Sequence, residues 1–302
     1  MAKEAKQGQM GASMTCRRLR LLAATTLLQI LAGCVTLTSD PRAIFLGASG
    51  TTEIAWLKCD AAAKLLQPDV VGVAGHSLDP EGFRVTTWNI HKQADDGWQQ
   101  DLARIARADD VLLIQEAALR PSLSSLLSSA GLRWVMASSF LYDTEDIGVI
   151  TASRVSPIAS CIQRADEPYL GIPKSAVISW FPLAGSADTV AVINIHAMNF
   201  DLALANYRTQ LTALANVLAQ HRGPIIFAGD FNTWSVAREV TVAEVLSPLG
   251  LSEVRLPSDE RSVFFGRHVD HMFIRGLDYA EARAIAVRSS DHNPVTVILR
   301  VP

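Results

Sequence analysis

The sequence predicts an α/β fold in which helices cover β-sheets, and three observations support this prediction. Apolar runs with strand character alternate with helical segments from Phe83 onward. The strand-like runs outnumber the long helical segments, a pattern typical of sheets covered by helices rather than of a helix bundle. Hydrophobic residues make up 49% of the 302-residue chain, which is enough for a sizeable core.

The first predicted elements alternate between strand and helix. Val85-Thr86-Thr87-Trp88-Asn89-Ile90 is rich in β-branched and aromatic residues and predicts a strand. Asp101-Leu102-Ala103-Arg104-Ile105-Ala106 has helical spacing and predicts a helix. The apolar run Val111-Leu112-Leu113-Ile114-Gln115 predicts a second strand that ends on Glu116, and leucines at helical spacing predict a helix around 122–129.

The later elements repeat the same two patterns. We expect strands where an apolar run is bounded by turn residues, and a helix where leucines recur on one face. The predicted strands span 134–137, 147–151, 176–181, 190–195, 224–228, 269–273 and 295–299, and the strongest helical stretch spans 202–219. Asn194, near the end of its strand, is expected to be a turn residue.

The N-terminal region has the features of a targeting segment. The basic run Arg17-Arg18-Leu19-Arg20 precedes an apolar segment at 21–30 that is too short to span a bilayer. Leu31-Ala32-Gly33-Cys34 resembles the lipobox of bacterial lipoproteins, which implies that Cys34 is lipidated and becomes the new N-terminus. Val35 in the next position favours the outer membrane, facing the periplasm. An ordinary secretory signal and an uncleaved anchor are the alternatives.

Three segments follow from this interpretation. Residues 1–33 form a lipoprotein-type signal peptide, residues 34–82 a tether and N-terminal extension with a short helical patch at 54–66, and residues 83–302 the main domain. Residues 34–302 carry 22 Lys and Arg against 29 Asp and Glu, a net charge of −7. This acidic balance does not support avid nonspecific binding to duplex nucleic acid, although a local basic groove would be enough for a nuclease.

Cysteine usage leaves one pair for the main body of the protein. Cys59 and Cys161 remain once the leader and the lipobox are set aside. A disulfide between them is allowed in an oxidising compartment, and two unrelated buried thiols are the alternative.

Polar residues lie at the ends of the predicted strands at five places. Open α/β sheets place ligand-binding groups beyond the carboxyl ends of their strands. These positions hold Asn89, Glu116, His196, Asp230 with Asn232, and Asp291 with His292. A sixth apolar run contains Asp270, which needs a cationic or hydrogen-bonding partner because an unpaired buried acid is costly. Carboxylates, amides and histidines in this arrangement indicate binding of a hard metal ion and general acid–base chemistry.

The strings around these residues occur in the order used by one superfamily. They are Trp88-Asn89-Ile90, Leu113-Ile114-Gln115-Glu116, Asn194-Ile195-His196, Gly229-Asp230-Phe231-Asn232, Val269-Asp270-His271 and Ser290-Asp291-His292. The chain therefore resembles the endonuclease/exonuclease/phosphatase superfamily, which includes DNase I-like nucleases, bacterial sphingomyelinases and inositol polyphosphate phosphatases. The resemblance runs from about residue 83 to 299. The string that follows His196 is more similar to a bacterial branch of this superfamily than to its named enzymes.

The resemblance implies a four-layer α/β sandwich, with two mixed β-sheets packed face to face and helices outside. It also implies metal-assisted hydrolysis of a phosphate ester by in-line attack of water. Oxygen ligands for Mg²⁺ or Mn²⁺ would come from Glu116, Asn89 and Asp291.

The same resemblance assigns roles to the remaining residues. Asp230 would orient and deprotonate the attacking water, and Asn232 would hold that water or the phosphate. His292, oriented by Asp270, would present a protonated imidazole to the developing negative charge. His196 would donate a further hydrogen bond to the phosphate.

Two departures from the superfamily pattern bear on the metal and on charge. Many nucleases of this group have an acid two residues after the strand-end Asn, where this chain has His91, so we expect one metal ion rather than two. Lys92 and Lys174 are candidates for the positive charge that a Tyr or Arg supplies in other members.

Several functions are compatible with this sequence. The main hypothesis is a metal-dependent phosphodiesterase of the nuclease type, with nucleic acid as substrate, and the chain is expected to be a monomer. A phospholipase C- or sphingomyelinase-like enzyme acting on phospholipid head groups is the alternative, and a phosphomonoesterase is a third. A noncatalytic lipid-anchored binding protein on the same scaffold belongs to a different class, because a fold does not determine a function.

Overall fold

The computed structural model describes residues 35–38, 40–47, 50–55, 59 and 77–302. Its strands, in chain order, are β1 (Val35–Thr36), β2 (Arg42–Gly47), β3 (Gly50–Ala55), β4 (Phe83–Asn89), β5 (Val111–Ala118), β6 (Arg133–Tyr142), β7 (Glu145–Ser153), β8 (Ala159–Asp166), β9 (Pro173–Pro182), β10 (Thr189–His196), β11 (Ile225–Asp230), β12 (Ser252–Glu253), β13 (Val263–Phe264), β14 (Arg267–His268), β15 (Asp270–Arg275), β16 (Asp278–Ala284) and β17 (Val295–Arg300). Its α-helices are α1 (Trp98–Ala108), α2 (Pro121–Ser129), α3 (Ala205–Leu218) and α4 (Val236–Leu246), and short 3₁₀ turns span His91–Gln93 and Ser247–Leu249.

The described strands form two large mixed sheets. The first has nine strands in the order β16-β17-β4-β5-β7-β6-β2-β3, with β1 paired to β6. The second has six strands in the order β12-β15-β11-β10-β9-β8, and β13 and β14 form a separate hairpin. Each large sheet contains one parallel pair at its centre, β4 with β5 and β10 with β11. The carboxyl ends of each parallel pair therefore meet at one edge of their sheet.

Apolar side chains hold four layers together. Helix α1 turns one apolar stripe, which includes Leu102 and Ile105, towards the first sheet, where it packs in a cluster with Trp88 and Trp134. Helices α3 and α4 cover the outer face of the second sheet in the same way. The inner faces pack against each other, with Val85 among the residues of that cluster. This is the predicted α/β sandwich of two mixed sheets with helices outside, and the fold class is confirmed.

The segment 34–82 contributes more to the fold than a tether would. Strands β1, β2 and β3 belong to the first sheet, and Ala43 and Ile44 of β2 are buried. Cys59 and Cys161 form a disulfide, which connects this segment to β8. Of the helical patch expected at 54–66, residues 54 and 55 belong to β3, and residues 56–58 and 60–66 lie outside the described part of the chain.

Residues 1–34, with the expected signal peptide and Cys34, also lie outside the described residues. Among the residues that are described, no helix has the length and apolar character needed to cross a membrane.

Candidate active site

The site lies where the parallel strands of the two sheets end side by side. Asn89 ends β4 and Glu116 lies near the end of β5, while His196 and Asp230 end β10 and β11. Asn89 Nδ2 donates a hydrogen bond to Asp230 Oδ2 at 3.1 Å and so links the two sheets. His196 Nε2 lies 3.7 Å from Glu116 Oε1 and 3.6 Å from Asp230 Oδ2. The structure thus brings together residues that are far apart in the chain, as the strand-end pattern predicts.

Glu116 occupies an unusual backbone position. The prediction that β5 ends on this residue is wrong, because the strand continues to Ala118 after a register shift between Ile114 and Ala117. Glu116 lies within this bulge with a φ of 49°, in the left-handed region that non-glycine residues rarely adopt. A bulge of this kind redirects a side chain, here towards the neighbouring sheet.

A second strained segment directly follows Asn89. His91, Lys92 and Gln93 have φ values of 46°, 56° and 54°, three left-handed residues in succession. The cost of such a conformation is about 1–2 kcal/mol per residue, and strain of this kind clusters at functional sites. Its result is that the Lys92 ammonium hydrogen-bonds the Glu116 carboxylate.

His292 and Asp270 form a buried pair beside Asp230. His292 Nδ1 lies 2.7 Å from Asp270 Oδ2, and its Nε2 lies 4.0 Å from Asp230 Oδ2. The His292 main chain is held by Trp88, whose indole N–H donates to the His292 carbonyl at 2.9 Å. Burial alone would lower the pKa of His292, but the charge and hydrogen bond of Asp270 raise it to about 10. The imidazole is therefore protonated at neutral pH, as its expected role requires.

The surroundings of Glu116 favour its charged form. Burial alone would raise the pKa of Glu116, but His196 in its protonated form and the ammonium groups of Lys92 and Lys174 lower it to about 2. Burial lowers the pKa of His196 to about 4, and the nearby Lys174 ammonium acts in the same direction. Burial also lowers the pKa of Lys174, against the opposing effect of Glu116. At neutral pH the site therefore contains an ionised Glu116 beside a neutral His196.

The contacts of His196 bear on its expected role as a hydrogen-bond donor to the phosphate. Its Nε2 lies 2.9 Å from Lys174 Nζ. If the ammonium donates this hydrogen bond, Nε2 of a neutral imidazole is the acceptor and has no proton to offer a phosphate from the same atom. The donation by His196 stays a prediction, and Lys174 adds a cationic donor at the same place.

Asn232 and Asp291 complete the predicted set. The Asn232 N–H donates to Asp230 Oδ1 at 2.9 Å, and its side-chain Nδ2 donates to the Ala197 carbonyl at 2.9 Å. The Asp291 side chain is 47% exposed, and its Oδ1 lies 4.0 Å from His292 Nε2. Both residues therefore lie next to the Asp230–His292 pair.

Two groups of residues are candidates for binding a metal ion. The described acidic and histidine side chains whose ligand atoms lie within 4.8 Å of one another are Asp230, Asp270 and His292. Because His292 Nδ1 is bound to Asp270 and the imidazole is protonated, we interpret this group as an ion-pair cluster rather than a metal site.

The predicted ligand set has the chemistry that Mg²⁺ or Mn²⁺ requires. Glu116 is ionised, Asp291 is half exposed, and the Asn89 amide adds a third oxygen. The Lys92 side chain, whose ammonium bonds Glu116, is 43% exposed. Because this side chain is long and flexible, its ammonium can move away from Glu116. The donor chemistry of these residues therefore suits a hard divalent cation.

Several supporting residues were not found from the sequence. His271 Nε2 lies 2.6 Å from Thr233 Oγ1 and its Nδ1 lies 2.6 Å from Glu253 Oε1. This network, buried at His271 and Thr233 and open to solvent at Glu253, connects the chain neighbours of Asp270 and Asn232 and so helps to position both site residues. The one signal of this network in the sequence is the position of His271 next to Asp270.

Two further polar contacts position the site from outside. The buried guanidinium of Arg238 donates to the carbonyls of Met198 and Asn199 at 2.7 and 2.6 Å, which holds the loop after His196. Asn194 is not a turn residue, since it lies within β10 and its side chain accepts a hydrogen bond from Gln115 Nε2 at 2.7 Å. This contact joins the two sheets directly below the site, in a buried layer where an unpaired amide would be costly.

The site and fold agree with the comparisons with known proteins. Residues 86–292 match the Endonuclease/Exonuclease/phosphatase family, and the chain belongs to that family. It is 40% identical over 224 residues to a UPF0294 protein of Vibrio campbellii, a match that covers 73% of this chain and 78% of that protein.

Two solved structures share the fold. One is an endonuclease/exonuclease/phosphatase from Beutenbergia cavernae, with a TM-score of 0.58, 19% identity and coverage of 73% of this chain and 72% of the other. The second is the human Nocturnin catalytic domain, with a TM-score of 0.58, 17% identity and coverage of 76% and 97%. At these identities the likeness concerns the fold alone.

Proposed function

We propose that the protein is a divalent-metal-dependent phosphodiesterase that hydrolyses its substrate by in-line attack of water. Membership of a family of nucleases and phosphatases supports hydrolysis of phosphate esters. The observation that carries the finer proposal is the convergence of two carboxylates and one imidazolium. An ionised Glu116, the Asp230 carboxylate and a protonated His292 surround one end of the two sheets, with Nε2 of His196 between two of them.

Each protein group has a definite task in this proposal. Asp230 accepts the proton of the attacking water as its oxygen approaches phosphorus, because its carboxylate is held by the N–H of Asn232 and by Asn89. His292 donates hydrogen bonds to the phosphoryl oxygens as their negative charge grows, and Asp270 keeps the imidazole protonated. Lys174 and His196 add polar contacts beside Glu116.

Glu116, Asn89 and Asp291 would hold Mg²⁺ or Mn²⁺, which would neutralise charge on the phosphoryl and leaving oxygens.

Plasmid nicking by the full chain tests the nuclease form of this proposal. We expect nicking in Mg²⁺, none in EDTA, and loss of nicking in His292→Ala. Arg208→Ala is a matched control, because Arg208 forms an exposed ion pair with Glu244 on the outer helices. Absence of nicking by a folded protein that binds Mg²⁺ would remove DNA from the candidate substrates.

One observation favours a phospholipid as the alternative substrate. Phe265 lies at the tip of the β13–β14 hairpin with 88% of its surface exposed, while Phe264 contacts the His292 ring at 4.9 Å between centroids. A protruding apolar tip next to the site suits a membrane surface. Release of head groups from phospholipid vesicles, compared between the wild type and Phe265→Ser, tests this candidate, and equal rates would contradict it.

We also infer that the chain is lipidated at Cys34 and acts in the cell envelope as a monomer, on the outer membrane facing the periplasm. The support is the lipobox-like string in the sequence. Incorporation of a labelled fatty acid that Cys34→Ala abolishes is the expected result, and equal labelling of the variant would contradict the inference. A noncatalytic binding role would instead be indicated by ligand binding that EDTA leaves unchanged, in a chain that hydrolyses no ester.

A further inference from the structure

A cavity opens beside Glu116, and His292 does not line it. It has a volume of about 240 Å³ and includes Glu116, Lys92, Lys174 and His196 in its lining. Because Glu116 and His196 also belong to the site, the cavity adjoins the candidate active site. The ends of β6 and β7, the loop between β8 and β9 and the loop after β10 provide the rest of its walls.

The walls of this cavity differ in chemistry. One part is apolar, and there Leu170 and Phe200 form a rim with 53% and 50% of their surfaces exposed. The floor carries the Lys174 ammonium together with the buried Glu167 carboxylate, whose Oε1 accepts a hydrogen bond from the Asn199 N–H at 2.6 Å. A bound group would therefore meet hydrogen-bond donors and acceptors on one side and apolar surface on the other.

Lys174 has donor capacity that the described residues leave unused. An ammonium carries three N–H groups, and among these residues Lys174 forms one hydrogen bond, to His196. Its charge is balanced in part by Glu116, Glu167 and Asp230, so the floor is polar without a large excess of either sign. A bound oxygen would satisfy a donor that burial makes costly to leave unpaired.

The charge pattern and the size select among possible occupants. A quaternary ammonium would be repelled by the charge of Lys174, and a second anionic group would be repelled by Glu167. A wholly apolar group would leave the remaining N–H groups of Lys174 without an acceptor. Hydroxyl groups both donate and accept, so a polyol satisfies the two kinds of residue at once. A volume of 240 Å³ holds about eight water molecules at roughly 30 Å³ each, which is room for a glycerol or monosaccharide and not for a polynucleotide chain.

We propose that this cavity binds the alcohol group of the phosphate ester, that it admits a compact polyol, and that Lys174 is the residue that binds a hydroxyl oxygen of this group. The proposal rests on the proposed phosphodiesterase function and specifies its substrate class. The same polyol chemistry occurs in soluble glycerol or sugar phosphodiesters and in the head group of phosphatidylglycerol.

Binding of glycerol 3-phosphate to the full chain, measured by calorimetry, tests the cavity without requiring catalysis. Ile172→Trp fills the cavity from its wall, Lys174→Met removes the ammonium at similar length, and Tyr169→Trp is the matched control. Tyr169 lies in the same loop, is 66% exposed and does not line the cavity. We expect at least tenfold weaker binding for the first two variants and a change within twofold for the control.

Turnover separates the cavity from the reacting centre. For Ile172→Trp we expect kcat/KM to fall at least tenfold with bis(glycerol) phosphate and to stay within twofold with methyl p-nitrophenyl phosphate, whose methyl group leaves the cavity empty. Equal losses for both esters, or no loss for either, would overturn the proposal. Rates with phosphatidylglycerol vesicles against those with the soluble diester identify the source of the polyol.

Failure of the two proposals would look different. If no ester is hydrolysed but glycerol 3-phosphate binding still depends on Ile172 and Lys174, the phosphodiesterase function is wrong and the cavity assignment stands. If esters are hydrolysed and neither variant changes binding or selectivity, the cavity assignment is wrong and the function stands.

Discussion

Replacement of Asp270 by Asn should lower the pKa of His292, so that its imidazole titrates near neutral pH. Asp270 accepts the Nδ1 proton of His292 at 2.7 Å and is the main reason that the pKa of this imidazole rises to about 10. Asparagine keeps the shape but removes the charge. With burial then opposed only by Asp230 and Asp291, we expect the pKa to return to near its ordinary value of 6.5.

The magnitude follows from the protonated fraction of His292. At pH 8 a pKa near 6.5 leaves about 3% of the imidazole protonated, against nearly all of it in the wild type, so kcat/KM should fall roughly 30-fold. At pH 6 about three quarters remain protonated, and the same contribution to the loss should be less than about twofold. The proton is thus lost in the variant as pH rises through 6.5, and in the wild type only as pH rises through 10.

Hydrolysis of bis(p-nitrophenyl) phosphate between pH 5.5 and 9 at saturating Mn²⁺ measures this effect, and the His292 ring shifts in NMR report its pKa directly. A loss of activity that is the same at pH 6 and pH 8 would refute the reasoning, since it would mean that Asp270 acts on position and not on protonation. Unchanged ring shifts would refute it independently of activity.

Results are expected for three further groups of variants, which concern the metal, Asp109 and the disulfide. Glu116→Gln should weaken Mn²⁺ binding at least tenfold in calorimetry because it removes an anionic ligand, while Lys92→Met should strengthen it because the ammonium that bonds Glu116 no longer competes. Burial raises the pKa of Asp109 to about 7, so the folded state binds more protons than the unfolded state between about pH 4 and pH 7 and stability falls as pH rises through this window. Asp109→Asn should remove this dependence and raise the free energy of unfolding at pH 8 by up to about 4 kcal/mol, as measured by urea denaturation. Replacement of both Cys59 and Cys161 by Ser opens a link across 102 residues and should lower the free energy of unfolding by about 4–5 kcal/mol in the chain-entropy account.

Each of these results has an outcome that contradicts it. Equal Mn²⁺ affinity in the wild type and Glu116→Gln would remove Glu116 from the metal ligands. The same urea midpoint for Asp109→Asn and the wild type at pH 8 would mean that the buried carboxyl carries no penalty. Full stability of the double Ser variant under conditions where the wild type is oxidised would show that the disulfide constrains nothing.

The parts of the fold that the sequence predicts are those with strong local patterns. The long apolar runs of β4, β5, β10 and β11 are buried on both faces, so their strand character is continuous and visible. Strand β16, with the sequence Asp-Tyr-Ala-Glu-Ala-Arg-Ala, is an exposed edge strand whose residues favour a helix, and it was not predicted. Strand β8 was missed for a similar reason, since its polar half masks the alternation.

The features of the site also divide into those that the sequence predicts and those that it does not. The residues at strand ends were predicted because each lies next to an apolar run that is visible in the sequence. The left-handed turn at His91–Gln93 was not, because no glycine marks it and its strain is maintained by contacts made far along the chain. The contact between Lys174 and His196 joins β9 to β10 by register, which no local pattern encodes.

The most direct test of the central claim is hydrolysis of bis(p-nitrophenyl) phosphate by Asp230→Asn beside the wild type at matched Mn²⁺ occupancy. Because Asp230 is assigned as the base that accepts the proton of the attacking water, we expect a loss of about 10²–10⁴-fold in kcat with Mn²⁺ affinity unchanged. Activity within a few-fold of the wild type at full metal occupancy would contradict the assignment and with it the proposed water attack at this site.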